Sequence, residues 1–246
     1  MGKVAFVAGA NGITGPYILE HLCKNSDASD WSEFIATSFS LLNILVKDDR
    51  IKFILLDFTK PASELIDAMR PVCGRVTHAF FSSYLHNDDF AELNVANARL
   101  FQNFIDALLA VAPNLEACVL QTGGKHYNVH LGPVPSPARE EDPRIETSMG
   151  NFYFAQEDYL MAKHKESGGY DDVSDARLVA DISVWAATTP SAGNEAFNVA
   201  NGDTICWQHL WPRLAAYVGA KASSNQAFTK PRPSVGQTQL EKSLYE

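Results

Sequence analysis

Lys3-Val4-Ala5-Phe6-Val7-Ala8-Gly9-Ala10-Asn11-Gly12-Ile13-Thr14-Gly15 decides the fold. A short apolar run of strand type meets a glycine turn, and a helical pattern follows through Tyr17, Ile18, His21 and Leu22. Strand, glycine turn and helix in that order are the context a dinucleotide phosphate site requires. Gly9 admits the tight turn, Gly12 lets backbone approach a pyrophosphate, and Gly15 lets the helix pack closely. With Asn11 and Ile13 they form the candidate phosphate-binding turn, where amides and the helix dipole attract anionic oxygens. The expected class is α/β: a Rossmann-like, doubly wound, mainly parallel sheet with helices on both faces. Ligands of such sheets lie at the carboxyl ends of the strands, so the strand ends are the places to look for chemistry.

The second strand, Glu33 to Ser38, should end beside an adenosine ribose. An acidic residue there favours NAD and an arginine favours NADP. Thr37, Ser38, Phe39 and Ser40 supply neither, although hydroxyls can bond a 2′-phosphate without adding charge. Lys52 to Asp57 is a third strand. Asp57 closes it, either reading an adenine amino group or making a turn before Thr59-Lys60-Pro61. Val76 to Ser82 is a fourth, and its end, Ser82-Ser83-Tyr84-Leu85-His86, should face the nicotinamide half of the cleft. Asn94 to Ala112 is helical, with Val95, Leu100, Phe101, Phe104, Ile105 and Leu108 at core spacing.

Glu116 to Thr122 is the fifth strand, and Leu120-Gln121-Thr122-Gly123-Gly124-Lys125-His126-Tyr127 breaks from it at a glycine pair. Gln121, Thr122 and Gly123 are candidate cofactor contacts. Lys125 by itself reads equally as a solvated surface charge. A Pro-rich loop runs from Asn128 to about Met149, and a helix from Asn151 to about Lys165. Asp172 to Ala187 reads as helix, Glu195 to Asn201 as a short sixth strand, and Trp207 to Val218 as a final amphipathic helix. Trp185, Trp207 and Trp211 read as core. Residues 1–219 make one dinucleotide-binding domain with a remnant substrate region around 128–150 and 168–219. From Ala220 onward the polar, aperiodic sequence reads as a tail.

Composition narrows the partners. The net charge of −9 over 246 residues disfavours nucleic acid, which selects basic surfaces. Cys23, Cys73, Cys118 and Cys206 contain no Cys-x-x-Cys pair, which argues against a zinc site and fits a reducing compartment. The opening apolar run is too brief for a secretory segment, and no stretch approaches the ~20 apolar residues of a membrane span. A cytoplasmic protein acting on a small molecule, without metal, is expected; a homodimer is open.

Four segments then agree with one family: Gly9 to Gly15, Leu120 to Tyr127, Asn151-Phe152-Tyr153-Phe154-Ala155-Gln156-Glu157-Asp158, and Asn194-Glu195-Ala196-Phe197-Asn198-Val199-Ala200-Asn201-Gly202-Asp203. In this order they resemble the progesterone 5β-reductase/iridoid synthase-like branch of the short-chain dehydrogenase/reductases, fungal members in particular. The resemblance implies reduction of activated C=C bonds beside a carbonyl, with secondary metabolism as a setting. It favours NADPH without excluding NADH, and it makes Lys125 and Tyr153 the catalytic pair. Three departures stand out. Phe39 occupies the region of the family's phosphate-reading arginine, and the last tyrosine of Asn-Phe-Tyr-Tyr is Phe154. A block carrying an inner strand and pocket helices is absent near His164-Lys165-Glu166-Ser167-Gly168-Gly169, which should expose a sheet edge.

A lysine ammonium near Tyr153 is expected to favour its phenolate and strengthen it as a donor to a substrate oxygen. The same pair serves enone and ketone reduction alike. Tyr159-Leu160-Met161-Ala162-Lys163 spells the general Tyr-x-x-x-Lys signature. Tyr159 lies about 9 Å further along the helix, so both tyrosines cannot serve one nicotinamide. Tyr153 is the favoured one. His126 reads as a local hydrogen-bonder, and Glu157 and Asp158 as complements of the helix dipole. The rival to a reductase is a non-redox isomerase, cyclase or epimerase, or an inactive shortened homologue.

Overall fold

The computed structural model describes residues 2–44, 46–132, 134, 138–140, 142–148, 150–167, 173–174, 176–193, 195, 197–199, 212–213 and 215–221. It divides into two compact units, Met1–Val199 and Ala200–Glu246. In the first, β1 (Lys3–Ala8), β2 (Trp31–Ser38), β3 (Ile51–Leu55), β4 (His78–Phe81) and β5 (Ala117–Leu120) form a parallel sheet. Their order, β3-β2-β1-β4-β5, puts β1 at the centre, with the reversal of winding between β1 and β4. A ligand crevice opens at that point in such sheets.

Both faces of the sheet are covered, which is why β1 reads as a continuous apolar run rather than an alternating one. Val4, Phe6 and Ala8 pack with α2 (Ala62–Cys73) and α3 (Phe90–Val111). Ala5 and Val7 face α1 (Gly15–Asn25) and α5 (Ala176–Thr188). On the α3 side Phe81 meets Phe101 and Phe104 at centroid distances of 5.0 and 4.8 Å, and Phe58 meets Phe104 at 5.4 Å. Tilted pairs of this kind add about 0.5–1.5 kcal/mol each beyond area burial. α4 (Phe152–Ser167) lies against α3, with Leu160 in the same core.

Several expectations need correction. α2 falls where the sequence suggested no element; Pro61 and Pro71 punctuate it, but Leu65, Met69 and Cys73 still bury one face. α3 starts at Phe90, because the Asp89 carboxylate caps the Ala91 and Glu92 amides. That phase leaves Val95 67% exposed and buries Leu93 and Asn97 instead. Among the described residues between β2 and β3 none is helical, and Leu42, Ile44 and Val46 pack on the α1-side core as a strap. Val173–Ser174 is a short strand, β6, before α5, and pairs in parallel with β7 (Asn198–Val199) in a separate two-stranded sheet. β5 therefore ends the main sheet. Trp185 is 45% exposed, its ring edge-on to Phe197, and is not core. Trp207, Trp211 and the 168–172 junction lie outside the described residues, as does the expected tail beyond Lys221. In the second unit, residues 212–213 and 215–217 are helical. Among the described residues, no helix is long and apolar enough to cross a membrane.

His78 gives the fold a pH dependence. It is buried in β4 beside Trp31, at 4.9 Å between ring centroids, with Nδ1 2.8 Å from Thr77 Oγ1. Burial, and secondarily the Lys3 charge, pushes its imidazole down from 6.5 to about 4. Between those values the unfolded chain binds a proton the folded chain refuses. The stability is fully present above about pH 6.5 and lost as pH falls toward 4. Thermal melts across that window should show the loss in the wild type and a shallower one in His78→Gln; equal slopes would exclude His78 as the cause.

Candidate active site

The phosphate-type turn closes on itself without room for side chains. Gly9 takes φ 83°, a left-handed conformation, and a Cβ there would lie 2.8 Å from the Ser82 carbonyl carbon. A Cβ on Gly15 would lie 2.2 Å from the Gly9 carbonyl oxygen. The Gly12 N–H donates to that same oxygen at 2.8 Å. No side chain caps α1: the Thr14 hydroxyl instead accepts from Gln121 Nε2 at 2.7 Å. Gln121 Oε1 is buried without a protein partner. An uncapped helix start behind a glycine cradle is suited to the anionic linkage of a dinucleotide.

Beside the turn lies a cleft of about 440 Å³ lined by Gly9, Asn11, Gly12, Ser38, Asp57 and Ser82, among others. Its remaining walls include Phe39, Ser40, Phe58, Thr59 and Tyr84. Among the described residues, none of those lining it is Lys or Arg. Asn11 lines the cleft and also shapes it: Nδ2 donates to Ser40 Oγ and Leu41 O at 2.9 and 2.8 Å. Its Oδ1 accepts from the Asn43 amide at 2.8 Å, so one side chain holds the β2–β3 strap. Ser82 Oγ donates to Ala8 O at 2.7 Å, joining the ends of β1 and β4.

Other candidates divide by position. Thr37 is fully buried with an unpartnered hydroxyl, leaving Ser38 and Ser40 at the cleft. Asp57 faces the cleft while its Oδ1 accepts from Thr59 N and Oγ1 at 3.0 and 2.7 Å, so the turn role is established. Ile13 is 84% exposed, and Thr122 is buried. Phe39 is 76% exposed at the rim. Arg50, the arginine after β2, is bidentate on Asp48 and also donates to the Ser26, Trp31 and Cys23 carbonyls.

Lys125 stands on a 3-10 turn, Gly124–Tyr127, immediately after β5, and Tyr153 on the first turn of α4. Asn151 joins them. Its Nδ2 donates to Lys125 O at 2.7 Å and Asn128 Oδ1 at 3.0 Å, while its Oδ1 accepts from Tyr153 N at 3.0 Å. Asn94 Oδ1 accepts from Phe152 N at 2.9 Å, locking the same helix start to α3. Tyr153 reaches back to β5: a Cβ on Gly123 would lie 3.3 Å from its hydroxyl oxygen. Lys125 Nζ donates to Tyr84 Oη at 3.3 Å.

The expected lowering of the Tyr153 phenol is corrected by its surroundings. Burial, and secondarily Tyr84, pushes it well above the usual tyrosine range, because a phenolate there loses its hydration. Tyr153 therefore enters the site as a protonated donor. His126 Nδ1 lies 3.1 Å from Glu157 Oε1 on α4 without forming a hydrogen bond, so the local hydrogen bond expected of it is not made by this nitrogen. Glu157 and Asp158 take Arg144 at 2.6 and 2.7 Å, and its guanidinium covers Phe154 at 5.0 Å. This pins the Pro-rich loop to α4.

The rival Tyr-x-x-x-Lys faces elsewhere. Tyr159 Oη donates to both Asp106 carboxylate oxygens at 2.9 and 2.8 Å, and Lys163 lies 3.2 Å from the same group. Sequence reading missed the amides: Asn97, fully buried, binds both the N–H and the C=O of Leu85, and Gln156 donates to Asn97 O. Polar residues within an otherwise apolar helical stripe were the available signal. Among the described residues, no three His, Cys, Asp or Glu are grouped to hold a metal.

Comparisons with known proteins bear on family and fold. A model of the PRISE-like Rossmann-fold domain matches residues 5–176. The chain is 44% identical to the short chain dehydrogenase gsfE of Penicillium aethiopicum, covering 100% of this chain and 79% of that one. It is 28% identical to a 3-oxo-Delta(4,5)-steroid 5-beta-reductase of Arabidopsis thaliana, over 88% of this chain and 69% of the relative. In fold it resembles the Bordetella bronchiseptica enzyme WbmH in complex with NAD+, at TM-score 0.66 and 14% identity, over 89% and 82% of the two chains.

Tyr159→Phe should cost about 1 kcal/mol in thermal or denaturant melts, the usual loss for one hydrogen bond. Fluorescence titration with NADH and NADPH should be unchanged. Weakened binding of either would put Tyr159 at the site.

Proposed function

The chain belongs to the PRISE-like Rossmann-fold family of short-chain dehydrogenases, and we propose that it reduces an enone C=C bond or a ketone of a small molecule. One observation carries this reading: the Tyr153 hydroxyl and the Lys125 turn meet at the end of β5, joined by Asn151. The reductase named for a 3-oxo-Delta(4,5)-steroid acts on such an enone, which favours this substrate class.

The glycine turn and the α1 start would hold the pyrophosphate of a nicotinamide dinucleotide, with Ser38, Ser40 and Asp57 toward the adenosine and Ser82 toward the nicotinamide. When bound, the cofactor supplies hydride, and negative charge develops on the substrate oxygen. Tyr153, kept protonated by burial, donates to that oxygen, and the Lys125 ammonium adds positive charge nearby. Both interactions strengthen as the charge grows, so they lower the barrier more than they tighten substrate binding. Tyr153→Phe should reduce kcat with NADPH and 2-cyclohexen-1-one by about 10²-fold or more while leaving nucleotide affinity intact. Unimpaired turnover in that variant would overturn the assignment.

NADPH is the cofactor favoured by resemblance, yet among the described residues no cation lines the cleft to meet a 2′-phosphate. The preference of this chain for NADPH over NADH should therefore be small, and Phe39→Arg should raise it about tenfold or more, as a hydrogen bond to a charged group does. Fluorescence titration with both nucleotides checks this; an unchanged ratio in the variant would place the phosphate away from Phe39.

A second reading has one supporting observation. The gsfE alignment spans 297 positions against 246 residues here, so about 50 positions of the relative lack a counterpart. A chain that binds nucleotide yet consumes no NADPH with enone or ketone probes would be a non-redox isomerase, cyclase or epimerase, or an inactive homologue.

A further inference from the structure

Tyr84 is placed by more than packing. It follows β4, lines the cleft with Gly9, Gly12 and Ser82, and remains 43% exposed. Its neighbour Leu85 is clamped by Asn97 through both backbone groups, at 2.9 and 2.8 Å, so the segment cannot drift. Its ring leans on Phe152 at 6.0 Å, and Phe152 on Tyr153 at 4.1 Å. Its hydroxyl oxygen accepts from Lys125, whose ammonium also stands 5.8 Å from the Tyr84 ring centroid. A tyrosine oxygen that accepts from an ammonium directs its own proton elsewhere.

We propose that Tyr84 is a positioning residue of the active site: its hydroxyl holds the Lys125 ammonium at the β4–β5 mouth of the cleft, so that Lys125 acts from that fixed point on charge developing near Tyr153. Lys125 lies on a short turn after the strand, and a four-carbon stem loses considerable freedom when held. A fixed acceptor just beyond β4 supplies the restraint. Among the groups facing Lys125 are Tyr84 from the end of β4, Phe90 at the start of α3 with its ring 6.0 Å away, and His130 on the following loop. The His130 ring stacks on Phe90 at 4.7 Å with both nitrogens buried and unpartnered. Burial, and secondarily Lys125, pushes its imidazole down to about 4, so it is neutral near pH 7 and leaves the charge on Lys125. The consequence for turnover rests on the reductase reading; the contact itself does not.

The test uses the full chain carrying ¹³Cε-labelled lysine, with the Lys125 signal assigned by its loss in Lys125→Ala. Tyr84→Phe, which keeps the ring on Phe152, should displace both the Lys125 chemical shift and its titration midpoint, while Tyr159→Phe leaves them in place. With NADPH and 2-cyclohexen-1-one, Tyr84→Phe should lower kcat about 10- to 100-fold, with KM within about threefold of wild type and a displaced pH profile. Tyr84→Leu serves as a second hydroxyl deletion should the Phe variant fail to fold. An undisturbed Lys125 titration, or unchanged kcat alongside a disturbed one, overturns the proposal. Absence of turnover in the wild type overturns the reductase reading instead, and the lysine titration then decides the role of Tyr84 by itself.

Discussion

The close approach of backbone to backbone at the end of β1 is the constraint on which the site depends. Gly9 and Gly15 touch through a carbonyl that leaves no space for a Cβ, and Ser82 closes against the same turn from β4. The start of α1 is thereby brought to the strand ends at the centre of the sheet. The Thr14 hydroxyl is bound to Gln121, so no side chain caps that helix; Pro16 has no N–H, and the Tyr17 and Ile18 amides donate to Thr14 O at 2.9 and 3.0 Å, which leaves anion binding to the turn that precedes the helix. The apolar faces of β1 hold this arrangement from below, one on α2 and α3, the other on α1 and α5.

A second joint, made almost entirely of amides, builds the reactive corner. Asn151 links the Lys125 turn to the start of α4, Asn94 links that start to α3, and Asn97 fixes the segment carrying Tyr84. Each amide donates and accepts at once, so it sets the spacing of two backbone segments without introducing charge. Three elements distant in the chain thus deliver Tyr84, Lys125 and Tyr153 to one place. The Tyr159–Lys163 pair, with the same residue types at the general spacing, is held on Asp106 by the turn of the same helix.

Electrostatics in the two halves of the cleft differ. The nucleotide side has hydroxyls and Asp57 in its lining and, among the described residues, no cation, while Arg50 is committed to Asp48 and backbone carbonyls. The reactive side combines an ammonium with a phenol that burial keeps protonated. A donor that stays neutral until charge appears on its acceptor is suited to stabilising a transition state rather than a ground state.

The sequence by itself determined the class of fold, the order of the strands along the chain and the location of the glycine turn. These depend on local rules: apolar runs, turn glycines and helical periodicity act over a few residues. It also named Lys125 and Tyr153 and preferred Tyr153 to Tyr159. Local rules misjudged α2, where prolines masked an amphipathic pattern, and the phase of α3, where a cap at Asp89 moved Val95 to the surface. Only the tertiary structure decided that Asn11 holds a strap, that Thr37 is enclosed and that Tyr84 receives Lys125. It also reversed the expected direction of the Tyr153 phenol, because burial depends on every element packed around a group and has no local signature in the chain.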